Sequence, residues 1–304
     1  MRRRAGGRSR RGTAIGFLVG LAAAACAPDN DRIVVGSKNF SEQDLLGEIV
    51  AQWIEATTEI GVERRLHLGG TFIAHRALQL GEIDLYPEYT GTALTAILER
   101  PPDSDPDSVF RRVADVYASR WDLRWLPPLG FENTFAMLVR SSMADSLDIE
   151  TLSDLARFAP ELTAGFGYEF MERADGFSGL TDRYDLAFAA PPREMDLGLI
   201  YRAVAAGRID LTAGNSTDGR IEALSLRVLE DDRGYFPPYE AAIVVREDAL
   251  EAHPGLEGAL RELSGRIDTP TMRRLNRAVD LEGRPVRDVA ADWVASRLEP
   301  GGLP

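Results

Sequence analysis

The chain has 304 residues, 44% hydrophobic and 27% charged, an ordinary globular composition that allows one large or two medium domains. This composition excludes a disordered, collagen-like or coiled-coil chain. With 35 Lys and Arg against 48 Asp and Glu, the formal net charge is −13, and such a field repels phosphate backbones, so we expect no nucleic acid partner.

Residues 1–25 have the pattern of a bacterial secretory signal. Six arginines and no acidic residue precede an apolar stretch over 14–21 and a run of alanines over 22–25. This stretch is too short for a transmembrane helix. The single cysteine, Cys26, directly follows these alanines in a segment that resembles a lipobox. We therefore predict a lipid-anchored protein that works outside the cytoplasm, with residues 26–31 as a linker.

Two alternatives concern this export signal. A plain signal cleaved nearby would leave Cys26 as an unmodified thiol, and a lone cysteine forms no internal disulfide. Residues 9–12 also resemble the start of a twin-arginine signal, although Thr13 and Ala14 stand where an aromatic residue and a leucine are expected.

From residue 32 onward, short apolar strands alternate with amphipathic helices, which is typical of layered α/β domains. Such strand-helix-strand repeats favour parallel pairing. The predicted strands span 32–36, 62–67, 83–85, 123–126, 134–140, 162–166, 209–213, 226–229 and 241–246. The predicted helices span 41–58, 72–80, 108–119, 151–158 and 193–206, and the last sixty residues are also helical. Pro-Pro pairs at 127–128 and 237–238 indicate either two crossings between lobes or simple turns.

The first strand-to-helix junction is a candidate anion site. Ser41 and Asp44 approximate a capping box, which predicts a helix N-terminus beside the turn at 36–39. Lys38 lies in this turn and is the only lysine in the chain. Its presence indicates a function for a compact ammonium group, and chance survival of an exposed lysine is the alternative.

Three later segments are candidate ligand contacts. Residues 86–92 follow a short strand, and Pro87 and Gly91 favour an exposed, shaped loop over the core packing usual for tyrosine. Glu169 and Arg173 share one helical face, where a surface ion pair is the alternative interpretation. Residues 214–220 follow a strand and are dense in hydrogen-bonding groups.

The residues that catalysis or metal binding requires are missing from this sequence. The three histidines have no metal-ligand spacing with one another or with Cys26. The sequence contains no nucleophile elbow and no kinase or dinucleotide-binding motif. We therefore expect a protein that is not an enzyme, holds its ligand without transforming it, and needs no metal or cofactor.

Four motifs resemble the substrate-binding proteins of osmoprotectant ABC importers, the OpuAC-type family for glycine betaine, choline, carnitine and proline betaine. They span 36–43, 81–92, 216–221 and 236–242, and the likeness runs from residue 32 to residue 298. The resemblance implies an α/β fold of the type II periplasmic-binding-protein class with two crossover segments. Lobe I then consists of 32–134 plus 240–304, and lobe II of 135–239.

The resemblance also implies the site residues. Aromatic rings hold a quaternary ammonium group in this family, and the matching positions are Tyr89, Phe135 and Tyr239. Lys38, Thr92 and Arg173 would face the carboxylate of a ligand that has one.

Glu169 and Asn215 complete the predicted ligand-binding set. Phe135 stands where the family usually has tyrosine, and Asn215 stands where it often supplies another tyrosine. The expected partners are an ABC permease with its ATPase, reached by a monomer anchored to the membrane by lipid.

Three alternatives stay open. The chain is a ligand-sensing module for a membrane receptor, or it binds another small zwitterion such as ergothioneine or an amino acid. An extracytoplasmic enzyme on the same fold is the third alternative, and it would need a paired acid and base.

Overall fold

The computed structural model of the protein describes residues 32–298, in which short strands alternate with helices. The predicted export signal, the linker and Cys26 lie outside these residues. The strands are β1 (Arg32–Gly36), β2 (Gly61–Arg65), β3 (Leu85–Tyr89), β4 (Leu123–Trp125), β5 (Phe135–Arg140), β6 (Gly165–Phe166), β7 (Arg193–Glu194), β8 (Leu211–Asn215), β9 (Leu226–Val228) and β10 (Ala241–Arg246).

Helices connect these strands and form the C-terminal part of the described chain. They are α1 (Ser41–Thr57), α2 (Thr71–Gln79), α3 (Thr90–Thr92) with a π-helical turn at Ala93–Ile97, α4 (Pro106–Trp121), α5 (Ser141–Leu147), α6 (Leu152–Ala156) with a 3₁₀ turn at Ala159–Glu161, α7 (Tyr168–Glu172), α8 (Phe177–Tyr184), α9 (Leu197–Ala205), α10 (Arg220–Ala223), α11 (Glu247–Ala252), α12 (Leu256–Arg261), α13 (Thr269–Asp280) and α14 (Val286–Leu298).

Five strands form one sheet in the order β2-β1-β3-β10-β4. β1 runs parallel to β2 and β3, as the strand-helix-strand repeats predict, whereas β10 is antiparallel to β3 and β4. Ile33 and Val35 pack with α1 in one hydrophobic cluster, and Val34 packs against a second cluster that includes residues of α4. Because helices cover both faces, the strand is apolar at consecutive positions.

Three strands form a second sheet in the order β8-β5-β9, with β5 antiparallel to both neighbours. β6 and β7 make a separate parallel pair. The predicted helix over 193–206 is wrong in its first part, because Arg193–Glu194 is strand β7. α9 begins only at Leu197, where Asp196 Oδ1 accepts a hydrogen bond from Gly198 N (2.7 Å) and caps the helix.

Two segments connect the five-stranded sheet with the three-stranded sheet. Residues 126–134 lead from β4 to β5, residues 229–240 lead from β9 to β10, and each contains one of the Pro-Pro pairs. The segments run side by side, since Asn133 N donates to Tyr239 O (3.0 Å). The division into two lobes at these segments stays a prediction.

The exposed loop expected at 86–92 is wrong, because these residues lie in β3 and α3 and all are buried. β3 pairs with β10 along its whole length but with β1 only at Leu85. Pro87 therefore lies where one edge of β3 has no strand neighbour, a position that tolerates its missing N–H. Gly91 serves close packing, since a Cβ there would lie 2.7 Å from Tyr239 Cδ1.

The start of α1 positions the turn that contains Lys38. The helix begins at Ser41, but Phe40 occupies the N-cap position and no side chain caps it. The predicted capping box is therefore wrong. Asp44 instead accepts a hydrogen bond from Ser37 Oγ (2.5 Å), which ties the helix to the preceding turn.

Within residues 32–298, no helix combines the length and the apolar character needed to cross a membrane. Nor do side chains of this part of the protein form a group of histidine, cysteine and acidic residues able to hold a metal ion. One histidine, His75, packs against the rings of Tyr117 and Trp121 at centroid distances of 5.2 and 4.7 Å. It is therefore a core residue.

Candidate functional site

A cavity of about 80 Å³ is lined by residues of strands from both sheets, of the adjoining loops and of several helices. A cavity of roughly 10–15 Å³ already holds one water molecule, so this one has room for a small ligand. Its walls include all the residues predicted for ligand binding, namely Lys38, Tyr89, Thr92, Phe135, Glu169, Arg173, Asn215 and Tyr239.

Aromatic rings meet in pairs in the cavity wall. Phe135 and Tyr239 meet edge to face, with centroids 5.9 Å apart, and Phe40 stacks on Tyr89 at 6.5 Å. Both tyrosines are buried, and they belong to the same hydrophobic cluster. The cavity therefore offers π faces of the kind that attract a cation.

Lys38 is buried beside these rings. Its Nζ lies 2.6 Å from Glu88 Oε1, 4.6 Å from the centroid of the Tyr89 ring and 5.9 Å from that of Phe40. Glu88 also accepts hydrogen bonds from Tyr86 Oη (3.0 Å) and from the backbone N of Tyr89 (2.7 Å). The lone lysine is thus a fixed, ion-paired cation in the cavity wall and not an exposed side chain.

Arg173 is the second cation of the wall. Its Nε and Nη2 donate to Asp175 Oδ1 (2.8 Å) and Oδ2 (2.5 Å), and its Nη1 donates to Thr92 Oγ1 (3.2 Å). Burial raises the pKa of Asp175, but the Arg173 charge and hydrogen bonds to Arg173, Thr95 and Tyr239 outweigh it, and the pKa is lowered. Asp175 is therefore a carboxylate that holds the guanidinium against the Phe135 ring, 5.0 Å from its centroid.

Glu169 also lies close to the Arg173 guanidinium. Its Oε1 is 3.4 Å from Arg173 Nη1. Burial raises its pKa, but the positive charges of Arg173 and Lys38 outweigh this effect, so the pKa is lowered. Because the Arg173 side chain is only 3% exposed, the surface ion pair interpretation does not describe this contact.

Asn215 ends β8, and its backbone N donates to Tyr201 Oη (2.9 Å). Tyr201 comes from α9, lines the same cavity and carries the guanidinium of Arg220 over its ring, 4.4 Å from the centroid. Although position 215 supplies no tyrosine, an aromatic ring from another element stands next to it.

Glu42 is a buried carboxyl group in the cavity wall. It accepts hydrogen bonds from Tyr89 Oη (2.6 Å), Asn133 Nδ2 (2.7 Å), Asn276 Nδ2 (2.7 Å) and Thr217 Oγ1. Burial raises the pKa of Glu42, and the four hydrogen bonds oppose that rise without cancelling it. A single side chain thus gathers donors from distant parts of the chain.

Sequence reasoning missed several of these residues. Four of them stand inside the motifs, which were the available signal; these are Phe40, Glu42, Glu88 and Thr217. Asp175 stands two residues after the predicted Arg173. Others stand in elements without a local signal, and only the packing of those elements brings them to the cavity; these are Asn133, Tyr201 and Asn276.

Residues 31–296 match the model of a protein family described as the substrate binding domain of ABC-type glycine betaine transport systems. The match spans nearly all of the part of the chain that the structure describes. It therefore includes every residue of the cavity wall discussed above.

Individual proteins show the same similarity. The chain is 34% identical over 252 residues to the carnitine transport binding protein OpuCC of Listeria monocytogenes, covering 82% of each chain. It is 36% identical to the ergothioneine transport permease/ergothioneine binding protein EgtU of Helicobacter pylori (strain G27), covering 86% of this chain and 47% of that one.

Among solved structures, the crystal structure of a glycine betaine/carnitine/choline ABC transporter superposes with a TM-score of 0.72 at 32% identity. The superposition covers 87% of this chain and 98% of that chain. The predicted α/β fold of type II periplasmic binding proteins is confirmed by this likeness.

Proposed function

Because the chain belongs to the family of substrate-binding domains of ABC-type glycine betaine transport systems, we propose that its cavity captures a small quaternary ammonium osmoprotectant such as glycine betaine or choline. Members of this family are extracytoplasmic binding components of importers and bind a solute without transforming it. The captured ligand then passes to a membrane permease that works with an ATPase.

The observation that carries this proposal is the placement of aromatic rings and cationic side chains in one cavity wall. A quaternary ammonium group has no N–H to donate, so ring faces and desolvation must hold it, at about 0.5–2 kcal/mol per ring. We assign this role to Tyr89, Phe135 and Tyr239.

Charged and polar groups line the cavity beside these rings. We assign Lys38 and Arg173 to a ligand carboxylate, which they would bind by charge-assisted hydrogen bonds, and the Thr92 hydroxyl accepts a hydrogen bond from Arg173. Glu169 and Asn215 line the remaining wall. A zwitterion such as glycine betaine would contact both the rings and the cationic side chains, whereas choline would contact the rings alone.

Ligand binding and closure are coupled in this proposal. Tyr89 ends β3 of the five-stranded sheet, Phe135 begins β5 of the three-stranded sheet, and one ligand touching both rings favours the state in which the two sides approach. The lobes in this account are residues 32–134 plus 240–304 and residues 135–239. The permease then distinguishes an occupied protein from an empty one by its closure.

We also propose that residues 1–25 direct export and that Cys26 carries a lipid that anchors the protein to a membrane as a monomer. The support is the order of basic, apolar and small residues ahead of Cys26. Mass spectrometry of the membrane-bound protein should find an acylated Cys26, and Cys26→Ser should release the protein from the membrane. An unmodified Cys26 in membrane-bound protein would contradict the anchor.

Ergothioneine is a second candidate ligand, favoured by the 36% identity to the ergothioneine permease/binding protein of Helicobacter pylori. It carries the same trimethylammonium and carboxylate groups, so the same rings and cations would receive it. Its imidazole ring would require more space than glycine betaine does.

Thermal unfolding of the purified protein tests the proposal. We expect glycine betaine, choline, carnitine or ergothioneine to raise Tm, because a ligand that binds only the folded state stabilises it. Tyr239→Ala should abolish the rise with every ligand, and Arg173→Ala should abolish it with the ligands that carry a carboxylate. A flat response to all four compounds and to amino acids would remove the support for this function.

A further inference from the structure

The Glu42 carboxylate joins four elements that are distant in the chain. Tyr89 ends β3 of the five-stranded sheet, and Asn133 lies in the segment that leads to the three-stranded sheet. Thr217 follows β8 of that second sheet, and Asn276 lies in α13. All four donate a hydrogen bond to the two oxygens of Glu42, so one carboxylate connects both sides of the cavity.

The donors are shared evenly between the two oxygens. Tyr89 Oη and Asn133 Nδ2 donate to Oε1, and Thr217 Oγ1 and Asn276 Nδ2 donate to Oε2. A carboxylate has about four lone-pair sites, so its acceptor capacity is filled. Each of the four donors therefore has a lone pair of its own, and the junction has four arms.

The two asparagines show that the junction is organised around Glu42. These residues are 6% and 2% exposed, and Oδ1 of Asn133 and of Asn276 has no hydrogen-bond partner within the described residues. Asn133 directs its N–H₂ at Glu42, and Asn276 shares its N–H₂ between Glu42 and the backbone carbonyl of Thr217 (3.0 Å), so both amides are oriented by acceptors of this junction.

We propose that Glu42 is the positioning residue of this site: its carboxylate holds the Tyr89 ring by the phenol hydroxyl and ties that ring to Thr217 across the cavity. The inference rests on the proposed function and adds to it a role for the Tyr89 hydroxyl that is separate from that of the ring. The ring face binds the ligand, and the hydroxyl keeps the ring in its binding position when the two sides are in contact.

The Glu42 junction should affect ligand dissociation more than ligand association. When the Glu42 junction is broken, the closed state is less populated, and apparent affinity falls by the same factor as that population. Entry of the ligand into the open state does not require the junction. The loss should therefore appear mainly as faster dissociation, with the association rate nearly unchanged.

The test uses the full chain with glycine betaine, choline and carnitine as probes, measured by calorimetry and stopped-flow. Tyr89→Phe keeps the ring and removes its hydroxyl, Thr217→Val keeps the shape and removes a donor, and Glu42→Gln removes the charge. We expect each variant to bind about tenfold more weakly through faster dissociation. The double variant Glu42→Gln with Thr217→Val should bind no more weakly than Glu42→Gln alone.

Glu48→Gln is the matched control. Glu48 lies on the same helix, its side chain is 4% exposed, and it pairs with Arg64 away from the cavity. Its variant should lose some stability but keep the affinity and dissociation rate of the wild type.

The outcomes separate the two proposals. If the wild type binds none of the three probes, the proposed capture of an osmoprotectant is wrong. If the wild type binds and Tyr89→Phe and Thr217→Val keep its affinity and dissociation rate, the role of Glu42 is wrong and the function stands. Additive losses in the double variant would also overturn the role of Glu42. These two variants decide the question even where Glu42→Gln does not fold.

Discussion

The Lys38 ammonium lies 4.6 Å from the centroid of the Tyr89 ring, and its Nζ is 2.6 Å from Glu88 Oε1. The ring proposed to hold a quaternary ammonium thus already faces a cation of the protein. Because Glu88 neutralises this cation, its repulsion of an entering cation is reduced. The Lys38–Glu88 ion pair therefore stabilises the cavity wall and also influences which ligand charges the cavity accepts.

Removal of the lysine alone should destabilise the protein strongly. In Lys38→Met, Glu88 becomes a buried carboxylate without its cation, and breaking a buried ion pair costs about 3–5 kcal/mol. Urea unfolding measures the loss. Lys38→Met combined with Glu88→Gln should regain most of it, since no charge stays buried and unpaired. Equal losses in the single and the double variant would show that the ion pair is not the cause.

The same double variant should separate ligands by charge. It lacks the ammonium that we assign to a ligand carboxylate, and a hydrogen bond to a charged group contributes about 1.5–3 kcal/mol. Glycine betaine should therefore bind at least about tenfold more weakly, while choline, which has no carboxylate, should bind as well as before. Calorimetric titration measures both affinities, and an equal loss for the two ligands would contradict the assignment of Lys38.

Phe135→Leu should weaken binding of any trimethylammonium ligand by about 2- to 30-fold, because one ring face contributes about 0.5–2 kcal/mol. Phe188→Leu is the control, since Phe188 packs beside Phe177 against the hydrophobic cluster formed by residues of β5 and α8 and is not among the cavity residues. Isothermal titration calorimetry of both variants measures the two affinities. Wild-type affinity in Phe135→Leu would remove Phe135 from the site.

His75 should make stability depend on pH. Burial lowers the pKa of His75 from 6.5 to about 4, and neither ring nitrogen has a hydrogen-bond partner within residues 32–298. Between these values the unfolded chain binds a proton that the folded protein excludes, so stability falls as pH drops from 6.5 to 4. The full effect is about 3 kcal/mol at 1.36 kcal/mol per pH unit.

His75→Phe should remove this dependence while it keeps an aromatic ring beside Tyr117 and Trp121. Urea unfolding of both proteins at several pH values between 7 and 4 gives the comparison. The wild type should lose stability relative to the variant on acidification. Parallel pH profiles for the two proteins would show that His75 does not titrate as described.

Much of the site was accessible from local sequence. β1 and β10 have the predicted bounds, α1 begins at the predicted residue, and the residues chosen by motif all line one cavity. Strand and helix periodicity, and the turn residues between them, act over a few neighbours along the chain. Such patterns place a side chain at the end of a strand, and the ends of adjacent strands lie together.

Which side chains are buried, and which hydrogen-bond partners they have, follows from tertiary packing instead. The segment at 86–92 contains turn-like residues but is buried, because β10 pairs along the whole of β3. Thr217 stands 175 positions from Glu42 in the chain, and Asn276 stands 234 positions away. The hydrogen-bond donors and counter-charges of a buried charged group come from whichever elements pack around it. Local sequence patterns do not predict which elements these are. Composition and motif determined the family and the eight predicted cavity residues, whereas tertiary packing brought the other residues to the cavity and decided how the buried charges are balanced.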